Sequence, residues 1–142
     1  MSRIRGRDTK PELILRKSLH AAGFRYRIHA RELPGRPDIV FPRYRAAIFV
    51  HGCFWHGHNC PMFKLPSTRQ EFWSTKIIGN RQRDQRKATE LKSAGWRILT
   101  IWECSLTGPA RRPPDELTAC CSEFLKSNDL YCELSGNWRN RR

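Results

Sequence analysis

Between His51 and Cys60 the chain places three histidines, two cysteines and the aromatic pair Phe54-Trp55. Such a density of metal-binding and proton-moving side chains exceeds what a packed core asks of histidine and cysteine. Cys53, His58 and Cys60 suit zinc, which takes sulfur and imidazole donors in a tetrahedron. A fourth donor must come from elsewhere, and Cys104, in Ile-Trp-Glu-Cys, is the first cysteine after the cluster. His51 and His56 are then left for acid–base work.

A second set of groups suits phosphodiester hydrolysis. That reaction needs a divalent cation held by carboxylate and carbonyl oxygens, a positioned water, and a group to accept its proton. Asp38 can supply the carboxylate, the backbone near Val50 a carbonyl, and His51 or His56 the base. Asp84 reads as facing inward from a helix, either paired with an arginine for structure or orienting a catalytic histidine. A strand-end cap would account for Asp38 alone, and structural thiols with satisfied histidines for the cluster alone. Their juxtaposition in a basic chain favours chemistry.

The elements that must position these groups follow from local signals. Thr9-Lys-Pro-Glu12 reads as a capping box opening a helix to about Ala22, with Glu12 as the reciprocal cap. Phe24 to His29 and Arg36 to Phe41 read as strands, and Ala46 to Val50 as a third, antiparallel to the second across the turn Pro42–Arg45. That pairing brings Asp38 opposite Phe49, Val50 or His51. Cys53 to Pro66 reads as a loop stiffened by metal, with Phe54 and Trp55 either packed beneath it or free to wedge between base pairs. From Thr68 a helical region carries Phe72, Trp73, Ile77 and Ile78, with a break at Gly79. One face then reads Ile77, Asn80, Asp84, Ala88, Leu91 at helical spacing. Arg81, Arg83, Arg86 and Lys87 are assigned to other faces, towards solvent or phosphate. Trp96 to Trp102 reads as a buried strand delivering Glu103-Cys104. A last amphipathic helix spans about Asp115 to Lys126, where burial explains Cys120 and Cys121. The expectation is one domain over residues 1–142, with a basic arm at 1–8 and a loose basic tail at 136–142.

Net charge is +14 on 142 residues, from 27 basic and 13 acidic side chains. A polyanion whose counterions are released on contact is the partner such a surface fits. No apolar run approaches the roughly 20 residues of a membrane span, and the N-terminus lacks the apolar segment of a signal peptide. A cytoplasmic, nucleoid-associated location is therefore expected, with the clustered cysteines as metal ligands rather than disulfides.

The motifs Gly35-Arg-Pro-Asp38, Phe49-Val-His-Gly-Cys-Phe-Trp-His56, Asn80-Arg-Gln-Arg-Asp84 and Gly95-Trp-Arg followed by Trp102-Glu-Cys104 resemble those of the very short patch repair endonucleases. With Thr9–Glu12 they cover the chain from the first helix to Cys104. The resemblance implies an α/β, restriction-endonuclease-like fold of the PD-(D/E)xK superfamily, a mixed sheet flanked by helices with a structural zinc. It implies a strand-specific endonuclease that nicks 5′ to the thymine of a T:G mismatch left by 5-methylcytosine deamination. Where related nucleases carry acidic-x-lysine, this chain reads Phe49-Val50-His51, as the mismatch-nicking branch does.

By the same resemblance Asp38 and the Val50 carbonyl hold magnesium, and His56 activates water with support from Asp84. His51, Glu12 and Asn80 act near the scissile phosphate or metal-bound water. Zinc falls on Cys53, His58, Cys60 and Cys104. Phe54, Trp55 and Trp73 intercalate beside the mismatch, and Arg81, Arg83, Arg86 and Lys87 contact DNA. The implied partners are mismatched duplex DNA, a mismatch-repair matchmaker protein and a repair polymerase, with the enzyme itself a monomer. The rival readings are a non-catalytic zinc-containing DNA-binding module and a double-strand endonuclease of the same fold.

Overall fold

A computed structural model of the chain describes residues 9–138. The expected basic arm at 1–8 and the end of the tail, 139–142, lie outside the described residues. Helix α1 spans Lys10–Ala21, α2 Gln70–Ser93 and α3 Pro114–Leu125. The strands are β1 (Arg27–Ile28), β2 (Ile39–Phe41), β3 (Ala46–His51), β4 (Arg97–Trp102) and β5 (Tyr131–Leu134).

The strands form one mixed sheet in the order β1-β2-β3-β4-β5. β1, β2 and β3 are antiparallel neighbours, whereas β4 and β5 run parallel to β3. β3 is the hinge of this arrangement, and its alternation sorts the two faces. Ala46 and Ile48 join Leu15, Leu19, Ile101, Leu117, Phe124 and others in the larger core under α1 and α3. Ala47 and Phe49 join Ile98 and Leu91 under α2. Period-two side-chain alternation thus packs helices on both sides of a buried strand and sends His51, the last residue, to the α2 side.

Several elements depart from the sequence expectation. Thr9 caps α1 without a side-chain hydrogen bond. Glu12 does not complete a capping box, because its carboxylate is buried and lies 3.6 Å from Arg16 one turn on. α2 passes through Gly79 unbroken over 24 residues. The lost propensity of one glycine, about 1 kcal/mol, is outweighed by burial of Ile77 and Leu91 on either side. β1 is only two residues long, and β5 was not signalled at all, being a short edge strand with one buried residue. The start of the tail is fixed rather than loose: Gly136 N–H donates to Cys104 Sγ at 3.1 Å and Asn137 N–H to the Ala110 carbonyl at 2.7 Å.

Two glycines let the site loops lie directly on α2. Gly35 (φ +77°) is so close that a Cβ would stand 2.9 Å from Lys87 Cβ. At Gly57 (φ +62°) a Cβ would meet Ile77 Cγ2 at 2.7 Å. Both positions demand a left-handed backbone and leave no room for a side chain.

Candidate active site and metal centre

Asp38 sits at the entrance to β2, where its N–H donates to the Ile48 carbonyl at 3.0 Å. Its Oδ2 accepts the Val50 N–H at 2.6 Å. This settles the register left open by sequence: Ile39 pairs with Ile48, so Asp38 reaches past the pair to Val50. Burial pushes the Asp38 carboxyl up to about 7 against the Val50 hydrogen bond, and the nearby Glu12 charge adds to the rise. A carboxylate held in that state binds a cation more readily than it stands alone.

Opposite it, His56 Nδ1 lies 2.5 Å from Asp84 Oδ2. The His51 ring stacks on His56 with centroids 4.0 Å apart and planes 5° from parallel. Burial and the neighbouring His56 push the His51 imidazole down to about 3, so it is neutral near pH 7. Burial alone would raise Asp84, but the hydrogen bond with His56 and nearby positive charge such as Lys87 outweigh it and hold the carboxyl below its ordinary value. The inward Asp84 thus holds His56 Nδ1, and among the described residues no arginine pairs with it. Asp38, His51, His56 and Asp84 line one cleft of about 560 Å³, together with Gly35, Lys87 and Trp102.

The second cluster stands behind the first. One donor atom each from Cys53, His58, Cys60 and Cys104 lies within 4.8 Å of the others. Cys53 Sγ is 3.5 Å and Cys104 Sγ 3.7 Å from His58 Nδ1. Donor-to-donor edges in a tetrahedral zinc site come to roughly 3.5–3.8 Å, and the two contacts to His58 fall in that range. Contact with Cys53 holds the Cys104 thiol down to about 5 despite partial burial, with help from the Gly136 N–H. One partner of the pair is thus poised as the thiolate a metal takes.

Trp102 joins the two centres. Its ring stacks on His58 at 4.1 Å and meets His51 edge-on at 5.3 Å. Glu103 Oε1 accepts the Cys53 N–H at 3.1 Å, fastening the loop to the end of β4. Neither residue was singled out as functional from the sequence. The signal available was position, since both immediately precede Cys104 of the metal-suited cluster.

Phe54, Trp55 and Trp73 form one aromatic cluster with centroids 5.2 to 5.8 Å apart. Phe63 and Phe72 extend it, and Phe72 is 46% exposed with Arg69 over its ring. The cluster is an apolar ridge beside a basic cleft.

Asn80 does not line the cleft. Its amide donates to the Trp55 carbonyl at 2.8 Å, and its oxygen accepts from Arg83, so it braces the aromatic loop. Glu12 is buried and does not line the cleft, but its charge bears on Asp38. Arg81, Arg83 and Arg86 are exposed and Lys87 is half-buried, and of the four Arg81 and Lys87 line the cleft.

An aspartate at the entrance to β2 and a histidine–aspartate pair joining the loop after β3 to α2, on a mixed sheet with helices on both faces, define a restriction-endonuclease-like protein. A model of the family described as DNA mismatch endonuclease Vsr matches residues 1–62. The chain is 45% identical over 125 residues to the DNA mismatch endonuclease Vsr of Escherichia coli K12, covering 88% of this chain and 80% of that protein. It is 50% identical over 107 residues to the type II nicking enzyme V.XorIIP of Xanthomonas oryzae pv. oryzae, covering 75% and 79%. The nicking enzyme V.NmeAIP of Neisseria meningitidis is 42% identical over 110 residues, covering 78% and 79%. The chain belongs to the Vsr family of DNA mismatch endonucleases.

Proposed function

We propose that the protein is a magnesium-dependent DNA endonuclease that nicks one strand 5′ to the thymine of a T:G mismatch, opening very short patch repair. The observation that carries this reading is the His56–Asp84 hydrogen bond facing Asp38 across a single cleft. Asp84 fixes Nδ1, which leaves His56 Nε2 to take a proton from water. The water oxygen bonds to phosphorus, the P–O3′ bond breaks, and the products are a 5′-phosphate and a 3′-hydroxyl. Neutral His51 packs the His56 ring into its orientation.

Asp38 and the Val50 carbonyl are the groups that would hold magnesium. The Val50 N–H already points to Asp38, and a strand residue turns its N–H and C=O to the same edge, which supports this pairing. When bound, magnesium supplies positive charge at the scissile phosphate and acidifies water. Zinc on Cys53, His58, Cys60 and Cys104 would fix the loop carrying Phe54, Trp55 and His56. A T:G wobble stacks and pairs weakly, so opening the duplex beside it costs less than at a matched pair, and the aromatic ridge fits that wedge. The 3′-hydroxyl left by the nick is a primer for a repair polymerase. No described helix is long and apolar enough to cross a membrane, consistent with a cytoplasmic enzyme working at the nucleoid.

The test is a nicking assay on T:G and matched duplexes, with and without magnesium. Wild type should give a new 5′-phosphate only on the mismatched duplex with magnesium, and Asp38→Ala or His56→Ala should give none while remaining folded. Cutting by both variants at the wild-type rate would overturn the assignment.

A further inference from the structure

The cleft is lined by four cationic side chains, Arg36, Arg81, Lys87 and Lys92, among the described residues. Three have visible engagements or positions that keep them from its centre. Arg81 lies along Gly57 and donates to its carbonyl at 3.4 Å. Lys92 Nζ sits 4.9 Å over the Tyr131 ring, towards β5. Arg36 is exposed at the rim, in the left-handed turn before Asp38.

Lys87 is placed differently. It follows Asp84 by three residues on α2, so the two share a helix face. Its stem is pressed against Gly35 at the base of the Asp38 turn, and the Phe49 ring closes the same contact from the sheet. That packing fixes the stem, and the side chain lines the cleft. Its charge bears on Asp38, His51 and Asp84 at once. Among the described residues no carboxylate stands within ion-pair distance of it. A half-buried ammonium on a fixed stem, facing an acid–base centre without a close counter-ion, is matched to an anion brought by the substrate.

We infer that Lys87 is a catalytic residue, its ammonium contacting a non-bridging oxygen of the scissile phosphate. The inference rests on the nuclease reading above. Negative charge concentrates on the phosphoryl oxygens as the water oxygen bonds to phosphorus and the P–O3′ pair of electrons moves onto O3′. Lys87 stays protonated throughout, while the water proton goes to His56. Helix α2 thereby supplies the cation that β3, reading Phe49-Val50-His51, does not carry. A lysine acting only as general DNA grip would instead strengthen binding without changing the rate of the bound complex.

The test compares Lys87→Met, which keeps the stem against Gly35, with Lys87→Arg. Duplex affinity is measured by fluorescence anisotropy with calcium in place of magnesium. Single-turnover nicking is measured at saturating enzyme. Lys87→Met should lower the saturated rate on the order of 100-fold with affinity changed only a few-fold, and Lys87→Arg should recover about tenfold of the loss. A saturated rate within about threefold of wild type for Lys87→Met, with the effect confined to affinity, would overturn the proposal. So would equal losses in both variants with unchanged thermal midpoints, because the charge would then not be what matters. If wild type nicks the T:G duplex and Lys87→Met matches it, the inference alone fails. If wild type does not nick, the nuclease reading fails and this inference with it.

Discussion

His56 Nδ1 and Asp84 Oδ2 stand 2.5 Å apart, joining a loop after β3 to the middle of α2. The contact fixes which imidazole nitrogen faces the cleft, so its value is in rate rather than in grip. Asp84→Asn keeps the shape but offers the wrong donor pattern. It should lower the saturated nicking rate by about 100-fold with little change in duplex affinity, measured in single turnover. An unaltered rate would show that His56 needs no partner.

The same pair sets a pH dependence of stability. Asp84 titrates below its ordinary value of 3.8 in the folded protein. An acid lowered on folding contributes stability above its unfolded value, and that contribution is lost as pH falls through the folded value. Asp84→Asn should therefore be less stable than wild type at pH 7, by about 1 kcal/mol, with the difference closing as the solution is made more acidic than the ordinary value. Urea unfolding at several pH values measures it, and a gap that widens on acidification would contradict the sign.

Asp38 links protons to metal. Burial pushes its carboxyl up to about 7, and a cation and a proton compete for the same oxygens. The acid limb of the nicking profile should move to lower pH as magnesium is raised, by up to about one pH unit per tenfold increase. Profiles at two magnesium concentrations with coincident acid limbs would place the limiting proton on another group.

For the Cys53, His58, Cys60 and Cys104 cluster, the expected stoichiometry by native mass spectrometry is one zinc per chain. Cys60→Ser and Cys104→Ser should each lose it and melt at lower temperature, as a loop tied by metal has little apolar burial to replace it. Cys121→Ser alters a buried thiol in the α3 core and should retain zinc. Zinc retained by both ligand variants would mean that the metal is held by other donors.

The aromatic ridge predicts a specificity effect. Trp55→Ala should narrow the ratio of affinities for T:G over matched duplex, since the matched complex gains less from the wedge. Parallel anisotropy titrations read the ratio. A uniform weakening on both duplexes would make Trp55 a packing residue.

Much of this site was legible because its residue types are rare in combination and lie within short stretches. Asp38, His51, His56 and the four sulfur and imidazole donors come together where the order of strands and loops placed them. The Ile77–Leu91 stripe correctly turned Asp84 inward. What stayed hidden depends on closeness in space. Helical spacing turns Lys87 towards solvent or phosphate without revealing the turn at Gly35 that packs against its stem. Asn80 shares the face of Asp84 but is one turn earlier, where the aromatic loop takes its amide. Glu12 fits a capping box by spacing, yet its carboxylate is buried in the fold and lies beside Arg16. β5 is too short and exposed to leave an alternating signature. Trp102 and Glu103 gain their roles only once β4 lies alongside β3.

The histidine and carboxylate of the dyad are separated by 28 positions along the chain and meet only when α2 closes over the sheet. A nascent or partly unfolded copy therefore holds every reactive group without an assembled blade. On the proposed mechanism DNA would meet an assembled pair only on a folded molecule, which makes folding a safety catch on cleavage.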